Sequence, residues 1–77
     1  MPSPRVQVPG GGLAAVRKAK GFTQVTLAEA VRCSDTLIAL IETGRRQPSY
    51  ETACAIAAAL GVPLDTIATV TDEEVVA

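Results

Sequence analysis

Few side chains in this 77-residue chain are of types that do covalent or metal chemistry. There is no histidine, and the two cysteines, Cys33 and Cys54, lack the close spacing of a metal-binding pair. A zinc site needs more ligands of the usual kinds, so no metal is expected. A disulfide is not expected in a reducing compartment, and both thiols read as small apolar fillers. No nucleophile stands beside a base. Gly10, Gly11 and Gly12 precede a helical pattern, but the preceding strand and the following Lys-Ser/Thr of a P-loop are missing. They read as a hinge. The chain is therefore expected to be neither an enzyme nor a cofactor carrier. The chemistry that remains is that of cations: Arg5, Arg17, Lys18, Lys20, Arg32, Arg45 and Arg46. Seven basic residues stand against eight acidic ones, for a net charge of -1, but Asp72, Glu73 and Glu74 sit together at the C-terminus. Without those three the balance is seven against five, or +2. That is a modest bias, weaker than a typical nucleic-acid-binding patch. Contact with phosphates is the work such cations do.

Helices must position these residues. Residues 1–12 hold Pro2, Pro4, Pro9 and three glycines, and read as a flexible N-terminal arm. From Leu13 the pattern turns helical. Leu13, Val16, Arg17 and Lys20 share a face, Gly21 is a natural stop, and Phe22 can fold back onto that helix. Thr23 caps a second helix, 23–31, with an apolar stripe of Leu27, Ala28 and Val31. After a brief Arg32-Cys33 connection, Ser34 caps a third helix, 34–43. In it Asp35 favours the positive end, Ile38, Ile41 and Glu42 share a face, and Gly44 is the stop. Residues 44–48 are a turn. Ser49 caps a fourth helix whose stripe is Ala53, Ile56, Ala57 and Leu60, stopped by Gly61. Pro63 opens a fifth through Leu64, Ile67 and Ala68. No strand alternation of useful length and no repeat is seen. The expected organisation is an arm 1–12, a domain 13–69 and an acidic C-terminal tail 70–77. No apolar run is long enough to span a bilayer, and residues 1–12 lack the apolar segment of a secretory signal, so the cytoplasm is the expected location.

Helices 23–31 and 34–43, joined so tightly, form a helix-turn-helix. The pair cannot bury both stripes alone, so helices one, four and five must close a core beneath it. The expected fold class is all-α, a compact five-helix bundle with a central helix-turn-helix.

Four segments extend this reading: Leu13-Ala-Ala-Val-Arg-Lys-Ala-Lys-Gly-Phe-Thr-Gln, Leu27-Ala-Glu-Ala, Ile41-Glu-Thr-Gly-Arg-Arg-Gln-Pro-Ser and Ala57-Ala-Ala-Leu-Gly-Val-Pro-Leu-Asp. In this order and spacing, Leu13 to Ile67 resembles the Cro and phage-repressor (XRE-type) helix-turn-helix domain. The resemblance implies a lambda-repressor-like fold and a transcriptional regulator, a repressor or Cro-like protein, that binds double-stranded DNA with helix 34–43 in the major groove. It also implies roles for single residues. Gln24 matches the glutamine whose side chain and backbone N–H meet a phosphate at a helix N-terminus; read without the resemblance, it is a solvated first-turn residue. Arg17 and Glu42 match an ion pair that ties helix one to the end of helix three, a structural role. Thr43, Arg45 and Arg46 match the loop that approaches the DNA backbone; read alone, they fit a solvated turn equally well. Ser34 opens the recognition helix, and Asp35, Thr36, Ala39 and Leu40 match its outward positions. Arg32 stands where the family turn usually has glycine, so a positive φ is expected there.

The outward set is unusual, because base edges are ordinarily read by Arg, Lys, Gln, Asn or Ser. Asp35 can accept from cytosine N4 and Thr36 can bond either way, while Ala39 and Leu40 can touch only thymine methyls. Two functions follow. One is DNA binding by a homodimer, with Val62, Leu64, Ile67, Val70, Val75 and Val76 as candidates for the core and the two-fold interface. The other is a protein-interaction module on the same scaffold, whose partner would meet the apolar face of Leu37, Ala39 and Leu40. Electrostatics separates them: Arg45, Arg46, Lys18 and Lys20 supply a minimal set of phosphate-facing cations, which favours DNA.

Overall fold

The helices owe their boundaries to a repeated pair of local signals. The structure, a computed structural model, describes residues 5–71. It contains β1 (Arg5–Gln7), α1 (Gly10–Ala19), α2 (Gln24–Val31), α3 (Asp35–Glu42), α4 (Tyr50–Leu60), α5 (Leu64–Ile67) and β2 (Thr69–Thr71). Three hydroxyls start helices. Thr23 Oγ1 accepts from the Thr26 N–H (3.0 Å), Ser34 Oγ from Leu37 (3.1 Å) and Ser49 Oγ from Thr52 (3.1 Å). Thr26 Oγ1 in turn accepts from the Thr23 N–H, closing a capping box.

The first four helices all stop in the same motif. A left-handed residue donates its N–H three residues back, and the next residue donates five back. Gly21 and Phe22 do this for α1, Gly44 and Arg45 for α3, and Gly61 and Val62 for α4. In α2 the left-handed residue is Arg32, whose N–H bonds Glu29 while Cys33 bonds Ala28. Its φ of 61° is positive as expected, and among the described residues it is the one non-glycine in that region. Phe22 does fold back, half-buried against the core.

With the stops fixed, the stripes meet. Leu13, Leu27, Ile38, Ile41, Ile56 and Ile67 are fully buried. The α2–α3 pair packs on itself, α4 lies against α2, α1 against α3, and α5 against α4 and α1. All five expected helices are there, so the helical fold class stands, with one small addition.

That addition corrects the expected arm, hinge and strandless tail. Residues 5–7 pair antiparallel with residues 69–71, with Val6 opposite Val70. Val6 and Val8 are buried at 4% and 2% exposure, while Arg5, Gln7 and Pro9 face out. Two alternating apolar residues make too short a pattern to announce a strand, and the pairing partner lies at the far end of the domain. Gly10 to Gly12 are not a hinge but the first turn of α1, which starts ahead of Leu13. The acidic run Asp72 to Glu74, with Val75 and Val76, lies outside the described residues. Among the described residues, no helix is long and apolar enough to cross a membrane.

Replacing Arg32 with glycine is expected to raise the melting temperature by a few degrees. Relief of about 1–2 kcal/mol of left-handed strain exceeds the roughly 0.5–1 kcal/mol of extra backbone entropy that glycine loses on folding. A thermal melt that is unchanged or lower would mean that the Arg32 side chain stabilises the turn.

Candidate nucleic-acid interface

The site grows from one carboxylate. Glu42 is the last residue of α3, and its side chain is only 7% exposed. Its Oε2 accepts from Arg17 Nε at 2.6 Å, and its Oε1 accepts from Arg17 Nη2 at 3.1 Å and from Gln24 Nε2 at 2.9 Å. The third arm of Arg17, Nη1, donates to the Phe22 carbonyl at 2.8 Å. Phe22 is held there by the stop of α1, so the local motif supplies the acceptor that completes the guanidinium's shell. The bond to Glu42 pushes the Arg17 guanidinium further up, against its own desolvation. Burial by itself would raise the Glu42 carboxyl. The bonds from Arg17 and Gln24, with the charges of Arg17 and Lys18, outweigh that and hold it below the usual carboxylate range. The structure thus brings Arg17, Gln24 and Glu42 together from three helices.

Gln24 is not a solvated first-turn side chain. It is half-buried on Glu42. The capping box uses the N–H groups of Thr23 and Thr26, which leaves those of Gln24 and Val25 as the outward donors of the α2 terminus. Thr43 closes α3, with its hydroxyl on the Leu40 carbonyl at 3.1 Å. The same carbonyl accepts the N–H groups of Arg45 (2.9 Å) and Arg46 (3.3 Å). Both arginine side chains are exposed. Since Gln24 touches Glu42, the α2 terminus and the cationic turn adjoin at one end of α3. Ser34, Asp35 and Thr36 lie at the other end, all exposed, with Ser34 Oγ engaged as the cap.

The apolar outer face expected on residues 34–43 is smaller than the sequence suggested. Leu37 is half-buried against the core, and Ala39 and Leu40 are half-buried too. Among the described residues, the large apolar side chains that stand exposed are Val25 (50%) and Val70 (42%). The reason is helical geometry: Leu37 lies beside the buried Ile38 and Ile41 stripe and leans over its edge.

Three supporting residues escaped the sequence reading. Gln47 Oε1 accepts from the Val8 N–H (2.6 Å), and its Nε2 donates to the Val8 carbonyl (3.4 Å). Its amide thus acts as an extra strand residue that ties the cationic turn to β1. Pro48 is buried beside it in sequence. At Gly10, an added Cβ would overlap the carbonyl of Glu42 and lie 2.8 Å from that of Ile41, so the start of α1 abuts the end of α3. A polar residue after two arginines and a glycine after a proline were the only signals, and neither names a partner. No group of three or more His, Cys, Asp or Glu that could hold a metal is found among the described residues.

Comparison with known proteins matches residues 13–67 to the Helix-turn-helix family. The chain is similar to an immunity repressor protein of Bacillus phage phi105, 41% identical over 58 residues that cover 75% of this chain. It spans 40% of that repressor's length. Among solved structures, it resembles the restriction-modification controller C.AhdI from Aeromonas hydrophila, with 30% identity, a TM-score of 0.72, and 74% and 83% of the two chains covered. It also resembles the clp gene regulator ClgR from Corynebacterium glutamicum, with 36% identity, a TM-score of 0.71 and 74% and 62% covered. A third is SinR, a master regulator for biofilm formation solved in complex with DNA, with 28% identity, a TM-score of 0.70 and 74% and 95% covered.

Arg17→Ala and Glu42→Ala should each destabilise the domain by about 3 kcal/mol or more, because each strands a buried charge. The double variant should be less damaging than the sum; denaturation curves that add simply would mean the two side chains do not support each other. The pair also predicts acid sensitivity. A carboxyl held low in the fold stabilises it above the unfolded value of about 4.3, and that stability is lost as pH falls through the folded value. Glu42→Gln cannot titrate, so its stability should change less with pH in that acid range. Parallel pH profiles for the two proteins would contradict this.

Proposed function

The chain belongs to the Helix-turn-helix family, and on that premise we propose that it is a transcriptional regulator that binds double-stranded DNA sequence-specifically, with α3 in the major groove. The observation that carries the reading is the arrangement at the end of α3. The outward N–H groups of α2 and the turn bearing Arg45 and Arg46 are held side by side, flanking the helix that would enter the groove. The DNA complex of SinR and the repressor and regulator names of the other relatives support it.

In this reading Gln24, Thr43, Arg45 and Arg46 meet phosphates, with Lys18 and Lys20 adding to the local charge. Asp35 and Thr36 contact base edges, and Ala39 and Leu40 touch thymine methyls. Ser34 works mainly as the cap that holds the first turn of α3 in place. The protein acts as a homodimer in the cytoplasm, repressing transcription as a repressor or Cro-like protein. Its two copies of α3 lie about 34 Å apart to fit successive turns of one DNA face. Ile67 is consumed by the core, so the exposed Val70 and the partly buried Val62 and Leu64 are left for the two-fold contact. A protein-docking role for α3 would rest on Ala39 and Leu40, since Leu37 is partly packed against the core.

Selection from random duplexes should recover a preferred site. Because few hydrogen bonds to bases are on offer, phosphates must carry most of the affinity. Arg45→Ala and Arg46→Ala should weaken binding to all sequences alike and lower the slope of log affinity against log salt by about 1 each. Leu40→Ala should leave the slope unchanged and relax preference only where a thymine is read. If no duplex binds better than non-specifically at physiological salt, the DNA reading is wrong. Sedimentation should show a dimer on DNA; a monomer at every concentration, with and without duplex, would remove the two-fold arrangement.

A further inference from the structure

Glu42 has a second consequence beyond closing the ion pair. A carboxylate only accepts hydrogen bonds, whereas a glutamine amide has a donating end and an accepting end. Facing Glu42, the Gln24 amide has one sensible orientation: Nε2 towards the carboxylate at 2.9 Å and Oε1 away from it. The reverse would set oxygen against oxygen in a nearly buried place. One Nε2–H is then used, and the other is held at a fixed angle to it at the half-buried edge of α2. That edge also carries the free N–H groups of Gln24 and Val25. The carboxylate is itself immobile, gripped through both oxygens by Arg17. The amide is therefore oriented by a chain of contacts running from α1 through the end of α3.

Building on the DNA reading above, we infer that Glu42 is a positioning residue for DNA binding: it orients the Gln24 amide so that the remaining N–H joins the α2 backbone N–H groups on one phosphate. Arg17 acts through it, one step further back. With glutamine at position 42 the neighbour can donate as well as accept, so the Gln24 amide is free to turn over. The phosphate then meets either an N–H or a carbonyl oxygen, and the contact loses its value even in a folded protein.

The test is a double-mutant cycle in binding. Wild type, Gln24→Ala, Glu42→Gln and the double variant are titrated with a mixed-sequence duplex at low salt, each at a temperature where circular dichroism shows native helix content. Affinity is expressed per folded molecule. Each single change should weaken binding about fivefold, the weight of one ordinary hydrogen bond. The double variant should be no weaker than either single. Gln24→Ala should keep the wild-type salt slope, because a neutral amide displaces no counterion. A purely structural Glu42 would lower the melting temperature and leave affinity per folded molecule unchanged, which would overturn the inference. So would a double variant weakened by the product of the singles, about 25-fold, or a Gln24→Ala protein that binds like wild type. A second measurement needs no variant. In the nuclear magnetic resonance spectrum of the wild type, the two Gln24 Nε2 protons should differ, with one slow to exchange and the other shifting when duplex is added. A solvent-like pair that ignores the duplex would overturn the inference. Wild type that binds no duplex at all would overturn the DNA reading as well. Binding with independent effects would overturn only the positioning role.

Discussion

The Glu42 carboxylate, almost removed from water at the end of α3, is bonded to a guanidinium on α1 and an amide on α2. Removing a charge from water is unfavourable unless its partners are fixed, so a helix cannot drift without leaving an ion exposed to an apolar core. Apolar stripes alone tolerate sliding, because one leucine contact resembles the next. The bidentate bond to Arg17 does not, since both oxygens and the planar fork must coincide. Of the interactions in this small domain, this one sets the relative positions of the first three helices, and the buried residues fill in around it.

The backbone at that end of α3 is correspondingly full. The Leu40 carbonyl receives the Thr43 hydroxyl and two N–H groups of the turn. Gly10 abuts the Glu42 carbonyl with no room for a Cβ, and Gln47 clamps Val8, between β1 and α1. The turn that carries Arg45 and Arg46 is thus shaped before any ligand arrives. The backbone bonds of that turn need not form on binding, which lowers the entropic penalty of an ion contact by the exposed arginines.

What could be read in the sequence was local. Ser34, Ser49, Thr23 and the glycines at 21, 44 and 61 announce helix ends because their effect is exerted within a few residues. Arg32 was legible as a misfit only through the resemblance, because it stands where the family turn usually has glycine. The ion pair of Arg17 and Glu42 came from resemblance, since nothing in the spacing of two distant charges predicts that they meet. Val6 and Val8 were missed because a strand of three residues has no period of its own. The docking of Gln24 on Glu42, the clamp of Gln47 and the close contact at Gly10 were missed because each depends on which groups the finished fold brings together. Leu37 was misplaced by helical position alone, since a residue at the margin of a buried stripe belongs to neither face.

The two strands also bear on how the domain would carry load. Arg5 faces Thr71 across the ladder, and the chain enters and leaves the described fold at that same end. Tension applied through the flanking segments would act on the ladder as on a zipper, opening one pair at a time rather than shearing all of them together. Such a join gives way at low force, and Val6 would come away with its strand. The capped helices around Arg17 and Glu42 would meet the pull only afterwards, with the Gln47 clamp on Val8 as the last latch before them.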